Sequence, residues 1–196
     1  MTAVRLDERD RARRSISAWV QGQGERLRNA TPTAVMASLV VAACMPVVWP
    51  LIGVHESVKA AVELLAGTGS GAIGAFIQGR IDQLRRRNGA PVTEAELRHT
   101  LERDLLSALQ ADAKLREGAA ALLQGVDGVD VALQAASGEV RPALVEAFRW
   151  MLLPIQAEQA RHGAELRHQT DLMRENLAKT NLVIQLLTPS PEPVAP

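Results

Sequence analysis

The chain has 196 residues, of which 47% are hydrophobic and 3% aromatic, and this composition suits one small, almost wholly helical all-α domain with appendages. Its 22 basic residues balance 22 acidic residues, so no global basic field attracts nucleic acid, and we expect no nucleic-acid partner. A single cysteine excludes an intramolecular disulfide.

Residues 1–30 form a charged segment that predicts a helix over Val4–Leu27. Its apolar side is modest and consists of Val4, Ile16, Trp19 and Val20. One interpretation is a solvated helix. The other is a helix at a membrane interface, with arginines towards anionic lipid and Trp19 among the headgroups. The sequence leaves both open.

Residues 31–87 predict an apolar helical hairpin. Thr31 and Pro32 give a start signal, an N-cap threonine with proline at the first helical position. The first arm, Thr33–Val54, carries no charged residue and has about the 20 residues that a helix needs to cross a bilayer. Pro46 and Pro50 must kink or end this arm, because proline removes a backbone donor.

The second arm is predicted to begin after a cap at Ser57 and to run as one helix to about Arg87. Small residues recur along one side and favour close approach of another helix. This helix-packing face consists of Gly67, Ser70, Gly71, Gly74, Ala75 and Gly79. Gly69–Gly74 also matches the G-x-G-x-x-G pattern of dinucleotide sites, but the required strands and acidic residue are missing, so we expect no cofactor.

Basic and aromatic residues lie at the ends of the two apolar runs and are predicted to flank the membrane, namely Arg26, Arg28, Trp49, Arg80, Arg85, Arg86 and Arg87. The positive-inside rule then predicts transmembrane helices in the cell membrane, with both termini cytoplasmic. The alternative is a cytoplasmic protein whose hairpin is its own core. Glu63 and the weak hydrophobicity of the second arm favour that alternative, because a carboxylate in lipid is costly.

Residues 88–91 are a linker of strong helix breakers, and residues 92–153 predict a small helical bundle. Thr93 and Glu96 fit a capping box at its start. Four glycines are expected to divide the following residues into short helices: Gly118, Gly125, Gly128 and Gly138. About sixty residues bury only a marginal core, so we expect the bundle to lean on the hairpin or on another subunit.

Residues 154–187 predict one long C-terminal helix, and the proline-rich tail 188–196 is predicted to be disordered. Steps of four and three alternate along the helix, which is the seam spacing of a coiled coil over about three heptads. The seam consists of Leu166, Thr170, Met173, Leu177, Thr180, Ile184 and Leu187. The alternative is an amphipathic helix folded back on its own bundle.

Patterns that carry chemistry are missing from the sequence. The four histidines, His55, His99, His162 and His168, lack metal-ligand spacing with cysteine or carboxylate. No serine lies in a nucleophile elbow, and no paired carboxylates stand out from the helical background. We therefore expect a protein that is not an enzyme and has no catalytic or metal-binding residue.

The last of the predicted segments contains the sequence AELRHQTDLMREN at Ala164–Asn176. His168–Leu172 is the most distinctive local run within it. Together with the glycine-rich apolar pair, the arginine-ended helix and the short-helix bundle, it resembles N-terminal regions of large actinobacterial signalling proteins. Those proteins resemble signal-transduction ATPases with numerous domains (STAND-like) and related conflict systems. The resemblance implies an adaptor or assembly role in signalling or bacterial defence, and it supplies no catalytic residues.

These observations predict a non-enzymatic, membrane-associated helical adaptor that forms a homo-oligomer through the helix-packing face and the C-terminal helix. The alternative is a soluble helical adaptor whose apolar hairpin is its own core or docks a protein partner.

Overall fold

The computed structural model describes residues 2–52, 57–67, 69–87 and 92–151, together with positions 165, 167, 170 and 171. Regular structure in these residues is helical and includes no strand, which confirms the predicted all-α class. The chain divides into two compact units, Met1–Leu153 and Pro154–Pro196. All the helices named below belong to the first unit.

Two helices form the N-terminal segment. α1 spans Thr2–Gly22 and α2 spans Gly24–Arg28, so the single helix predicted over Val4–Leu27 is interrupted at Gln23. Glycine on both sides of the break explains it, because each glycine costs about 1 kcal/mol in a helix interior. Of the described side chains of α1, those buried are Ala12, Ile16 and Val20, which are spaced four apart and therefore share one face.

The apolar helix α3 spans Pro32–Val48 and continues into a 3₁₀ turn at Trp49–Leu51. Its predicted start is confirmed, because Thr31 Oγ1 accepts a hydrogen bond from the backbone N–H of Ala34 at 3.3 Å. The helix passes Pro46 and ends two residues later. Of the two prolines predicted to kink or end this arm, Pro46 lies inside the helix and Pro50 lies in the 3₁₀ turn that follows its end.

The second arm is two helices, α4 over Val58–Ala66 and α5 over Gly71–Arg87. The predicted cap is confirmed, since Ser57 Oγ accepts from the Ala60 N–H at 3.4 Å. The prediction of one helix to Arg87 is wrong. Gly67 and Gly69 have φ of 81° and 126°, a backbone region that side chains disfavour, and they turn the chain back on itself.

Four further helices complete the first unit. They are α6 over Glu94–Ala111, α7 over Ala113–Gly125, α8 over Gly128–Ala135 and α9 over residues 141–151. Thr93 Oγ1 accepts from the Glu96 N–H at 3.2 Å, as the predicted capping position requires. Asp112 caps the start of α7, because its side chain accepts a hydrogen bond from the Lys114 N–H at 2.8 Å. This helix start was not predicted from the sequence.

Gly118 does not divide the bundle, contrary to expectation, and lies inside α7. A Cβ there would stand 3.2 Å from Cγ1 of Ile73 in α5, so the glycine lets the two helices approach closely. That packing offsets its poor helix propensity.

α3 lies at the centre of the first unit. It contacts α1, α4, α6 and α7, while α5 packs against α4, α6 and α7. The predicted N-terminal segment, hairpin and small bundle thus share one core in which α3 is the common element.

Candidate functional site

The enclosed apolar helix is the most distinctive feature of the molecule. The segment Pro32–Leu51 is 20 residues long, carries no charge, and is the one described helical stretch long and apolar enough to cross a membrane. A core helix of a water-soluble protein has the same length and composition. In this fold 13 of the 17 residues of α3 are buried by the rest of the chain.

Cys44 lies within this helix and is buried. Burial raises the pKa of its thiol to about 12 from an ordinary value of 9.0, because a thiolate would lose its hydration there. A thiol with this pKa is protonated at physiological pH, whereas the thiolate is the form that acts as a nucleophile or metal ligand. The pKa of the Cys44 thiol therefore indicates whether the core around this residue is closed to water.

The predicted helix-packing face is split by the turn between α4 and α5. Gly67 ends α4, and the buried Ser70 donates a hydrogen bond from Oγ to the Gly67 carbonyl at 3.2 Å. Gly74 packs against α4 of the same chain, since a Cβ there would lie 3.0 Å from the carbonyl oxygen of Lys59. The face is thus partly used within the hairpin itself.

The other members of that face lie elsewhere on α5. Gly71 faces the carboxylate of Glu63, whose Oε1 would lie 3.0 Å from a Cβ at position 71. Ala75 and Gly79 are exposed, and a Cβ at Gly79 would meet no atom within 4 Å. The structure brings Gly71 and Gly74 to α4 and leaves Ala75 and Gly79 on the surface.

Three of the predicted membrane-flanking residues make contacts within the first unit. Arg28 forms an ion pair with Glu139 at 2.7 Å. Arg80 forms one with Asp104 at 3.4 Å and stacks over the Phe76 ring at 5.2 Å.

Arg85 Nη2 donates to the carbonyls of Leu51, at 3.2 Å, and Ile52, which end the 3₁₀ turn.

The remaining flanking residues are less engaged. Arg26 and Arg86 are exposed, and Trp49 is half-buried at the start of the 3₁₀ turn. The side chain of Arg87 lies outside the described residues.

The predicted coiled-coil seam falls almost entirely outside the described residues. Thr170 is helical and exposed. The other six seam residues, Leu166, Met173, Leu177, Thr180, Ile184 and Leu187, lie outside the described part of the chain, so the seam stays a prediction.

The described side chains offer few of the features from which a site for chemistry is built. No group of three or more His, Cys, Asp or Glu in that part of the chain is arranged to hold a metal ion. Burial raises the pKa of Glu102 on α6, while Arg98 and His99 act in the opposite direction. A groove of about 370 Å³ lies between α1, α3 and α4, with Glu8, Arg11 and Leu64 in its lining. None of these features assembles a nucleophile, base and oxyanion site.

Three arginines that were not predicted from the sequence bind the carboxyl ends of helices. Arg9 of α1 donates from Nε to the Leu65 carbonyl in α4, and Arg13 donates from Nε to the Val126 carbonyl after α7, both at 3.2 Å.

Arg141 caps α8 in the same way, through Nη2 to the Leu133 carbonyl at 3.2 Å. Arginine at such ends satisfies unpaired carbonyls and complements the helix dipole. No side-chain pattern in the sequence indicates these partners, because the acceptor belongs to the backbone.

Comparisons with protein-family models, with curated proteins and with solved structures find no match to this chain.

Proposed function

We propose that this chain is a non-enzymatic helical adaptor whose apolar helix α3 is the core of its own N-terminal unit, and whose C-terminal helix mediates assembly. The proposal rests on the enclosure of α3 by other helices of the same chain. Its companions are charged, amphipathic helices such as α1 and α6, which present polar residues to water and apolar residues to α3.

The energetics of α3 support the same view. Eight of its buried residues are Val, Leu or Met. Full burial of such a side chain is worth roughly 1.5–3 kcal/mol, so the eight together contribute at least about 12 kcal/mol. Exposing even a few of these side chains to water would therefore cost a large share of the net stability of a typical domain, which is about 5–15 kcal/mol. Helix α3 therefore stays covered by protein in water, and full release requires another apolar environment.

The assembly part of the proposal rests on the sequence. The heptad spacing over residues 166–187 favours a homo-oligomer, and the exposed Ala75 and Gly79 offer a second close-packing position. The resemblance to N-terminal regions of actinobacterial signalling proteins is the reason to propose a role in signalling or defence. Docking of a further protein partner fits this role.

Membrane fractionation tests the proposal directly. We expect the expressed chain in the soluble fraction, and any portion that sediments with membranes should be released by an alkaline wash. A version carrying Val41→Lys is the matched control, because a buried lysine disrupts a protein core but also prevents stable insertion in lipid. Wild-type protein that resists the wash while Val41→Lys is extracted would contradict a soluble adaptor.

The second candidate is a membrane-associated adaptor in the cell membrane with cytoplasmic termini. The uncharged 20-residue length of Pro32–Leu51 favours it, because this is the span of a bilayer core. Flotation with phosphatidylglycerol vesicles distinguishes the two. Association that survives high salt and alkaline wash supports insertion of α3. Binding lost in high salt indicates surface attraction of arginines only.

A further inference from the structure

A polar groove of about 270 Å³ lies between α5 and α6. Its polar lining consists of Arg80 and Gln83 of α5 and of Thr100, Arg103 and Asp104 of α6. Sites for drug-sized ligands typically have volumes of roughly 300–1,000 Å³. The groove is smaller than these, so it suits a single small polar group.

The two arginines of the groove converge on one carboxylate. Nε of Arg80 lies 3.4 Å from Oδ2 of Asp104, and Nε of Arg103 lies 3.0 Å from Oδ1 of the same residue. Residues i and i+1 of a helix do not face each other, so the Arg103 side chain must bend back along α6 to reach its neighbour. Asp104 therefore holds two guanidinium groups from different helices at one place.

The charges in the groove do not balance. Two arginines stand against one carboxylate, which leaves a net charge of +1 in the lining. The side chain of Asp104 is 18% exposed, whereas those of Arg80 and Arg103 are 37% and 65% exposed. The negative charge is thus the most buried of the three, and the surplus positive charge is accessible to an anion from solvent.

Unused hydrogen-bond donors accompany this charge. Asp104 contacts the Nε atoms, and Nη1 of Arg80 donates to Oε1 of Gln83 at 2.9 Å. Among the described residues, Nη2 of Arg80 and both Nη atoms of Arg103 have no acceptor. Because arginine only donates, Gln83 must accept with its oxygen, which leaves its amide nitrogen as a further donor. The hydroxyl of Thr100 is another.

Arg80 is held in position by its own chain. Its guanidinium group lies over the Phe76 ring, 5.2 Å from the centroid, and contacts Gln83 on α5 as well as Asp104 on α6. A guanidinium group that is stacked on a ring keeps its edge available for hydrogen bonds. A side chain that is already restrained also loses less conformational entropy when a ligand binds.

The arrangement of donors favours a tetrahedral anion over a planar one. A carboxylate is satisfied by the fork of one guanidinium group. A phosphoryl group presents three oxygens in different directions, so it can accept from donors on two helices at once. A phosphate monoester also carries about −1.5 to −2 charges at pH 7, which suits a groove with surplus positive charge.

We propose that the α5–α6 groove binds the phosphoryl group of a phosphate monoester. Arg80 and Arg103 are its charged donors, Thr100 and Gln83 are its neutral donors, and Asp104 positions the two arginines. The ligand is either a small soluble phosphate monoester or the headgroup of phosphatidic acid, which share this chemistry. The site goes beyond the proposed adaptor function and does not depend on it.

Titration of the full chain with inorganic phosphate at constant ionic strength tests the site. Nuclear magnetic resonance of the arginine Nε–H groups is the measurement, and we expect saturable shifts at Arg80 and Arg103. Arg103→Gln should raise the Kd about ten-fold, because hydrogen bonds from a charged group are lost. Thr100→Val should raise it about three-fold without any change of charge.

Arg98→Gln is the matched control. Arg98 lies on the same helix, pairs with Glu94 at 3.7 Å and is outside the groove lining. The variant removes the same charge as Arg103→Gln and should change the Kd less than about two-fold, because exposed charges at a distance are screened. Circular dichroism checks that all three variants keep the helical fold.

Glycerol 3-phosphate and lipid vesicles distinguish the two sources of the phosphoryl group. Binding of glycerol 3-phosphate without binding to vesicles assigns a soluble ligand. Binding to phosphatidylcholine vesicles that requires added phosphatidic acid, and is lost in Thr100→Val, assigns the lipid headgroup. Thr100→Val keeps every charge, so its effect separates the site from general attraction to anionic lipid.

Three outcomes would overturn the site. They are phosphate shifts that are absent or never saturate, equal weakening by Arg98→Gln and Arg103→Gln, and an unchanged Kd in Thr100→Val. Each is measured on phosphate binding alone. Failure of the site is therefore distinct from failure of the adaptor function, which fractionation reports.

Discussion

Gly74 of α5 lies so close to Lys59 of α4 that a Cβ at position 74 would stand 3.0 Å from the Lys59 carbonyl oxygen. A carbonyl belongs to the backbone and cannot rotate away. Glycine at this position therefore sets the separation of the two helices.

Gly74→Ala should destabilise the first unit by about 1–3 kcal/mol, because the added methyl group forces α4 and α5 apart. Gly79→Ala should instead be neutral or stabilising by up to about 1 kcal/mol, since open space surrounds that position and alanine is the better helix former. Urea denaturation followed by circular dichroism measures both. Equal stability of the two variants would contradict close packing at Gly74.

Cys44 should make stability fall with rising pH in the alkaline range. The thiol pKa is about 12 in the folded chain and 9.0 ordinarily. Above pH 9 the unfolded chain loses this proton while the folded chain keeps it, so the free energy of unfolding falls towards pH 12. The slope approaches about 1.4 kcal/mol per pH unit. Below pH 9 this contribution is complete and does not vary.

Denaturation midpoints at several alkaline pH values measure that slope, with Cys44→Ala as the control. The alanine variant should have a shallower pH dependence whatever its absolute stability. The chain has no tyrosine to titrate in the same range, which simplifies the comparison. Parallel curves for the two proteins would show that Cys44 is accessible to water.

Arg85→Ala should cost about 0.5–1.5 kcal/mol, because the carbonyls of Leu51 and Ile52 lose their donor at the end of the 3₁₀ turn. Arg86→Ala removes the same charge from an exposed neighbour and should change stability by less than about 0.5 kcal/mol. Thermal unfolding of the pair separates a capping role from a general charge effect. Identical losses of stability in the two variants would indicate an effect of the removed charge alone.

Leu177→Asp should dissociate the assembly if the heptad seam joins subunits, because an unpaired carboxylate in a buried layer costs several kcal/mol. Light scattering coupled to size exclusion measures the subunit number. Glu165→Ala, at an exposed helical position, is the control and should leave it unchanged. A lower melting temperature with unchanged mass would favour a helix packed on its own bundle.

Local signals in the sequence were sufficient for the fold class and for several helix starts. Thr31, Ser57 and Thr93 each accept a hydrogen bond from the backbone N–H three residues later. Such caps depend on residues within one turn of each other, so the sequence contains the whole interaction.

The sequence did not indicate which glycines end a helix and which lie inside one. Glycine every four residues fits one face of a helix. Gly67 nevertheless adopts a positive φ and ends α4, whereas α7 continues through Gly118. The difference lies in which helix packs alongside, and that is a property of the tertiary structure. The uncharged run of α3 is ambiguous in sequence as well. It suits lipid and protein interior equally, because both exclude water.

The arginines that bind helix ends have a consequence for how this protein diverges. Their acceptors are the main-chain oxygens of Leu65, Val126 and Leu133, and every residue type supplies such an oxygen. A substitution at the acceptor position therefore needs no matching change at the arginine. Related sequences would retain these contacts without any correlated pair of positions, and methods that infer proximity from co-variation would not detect them.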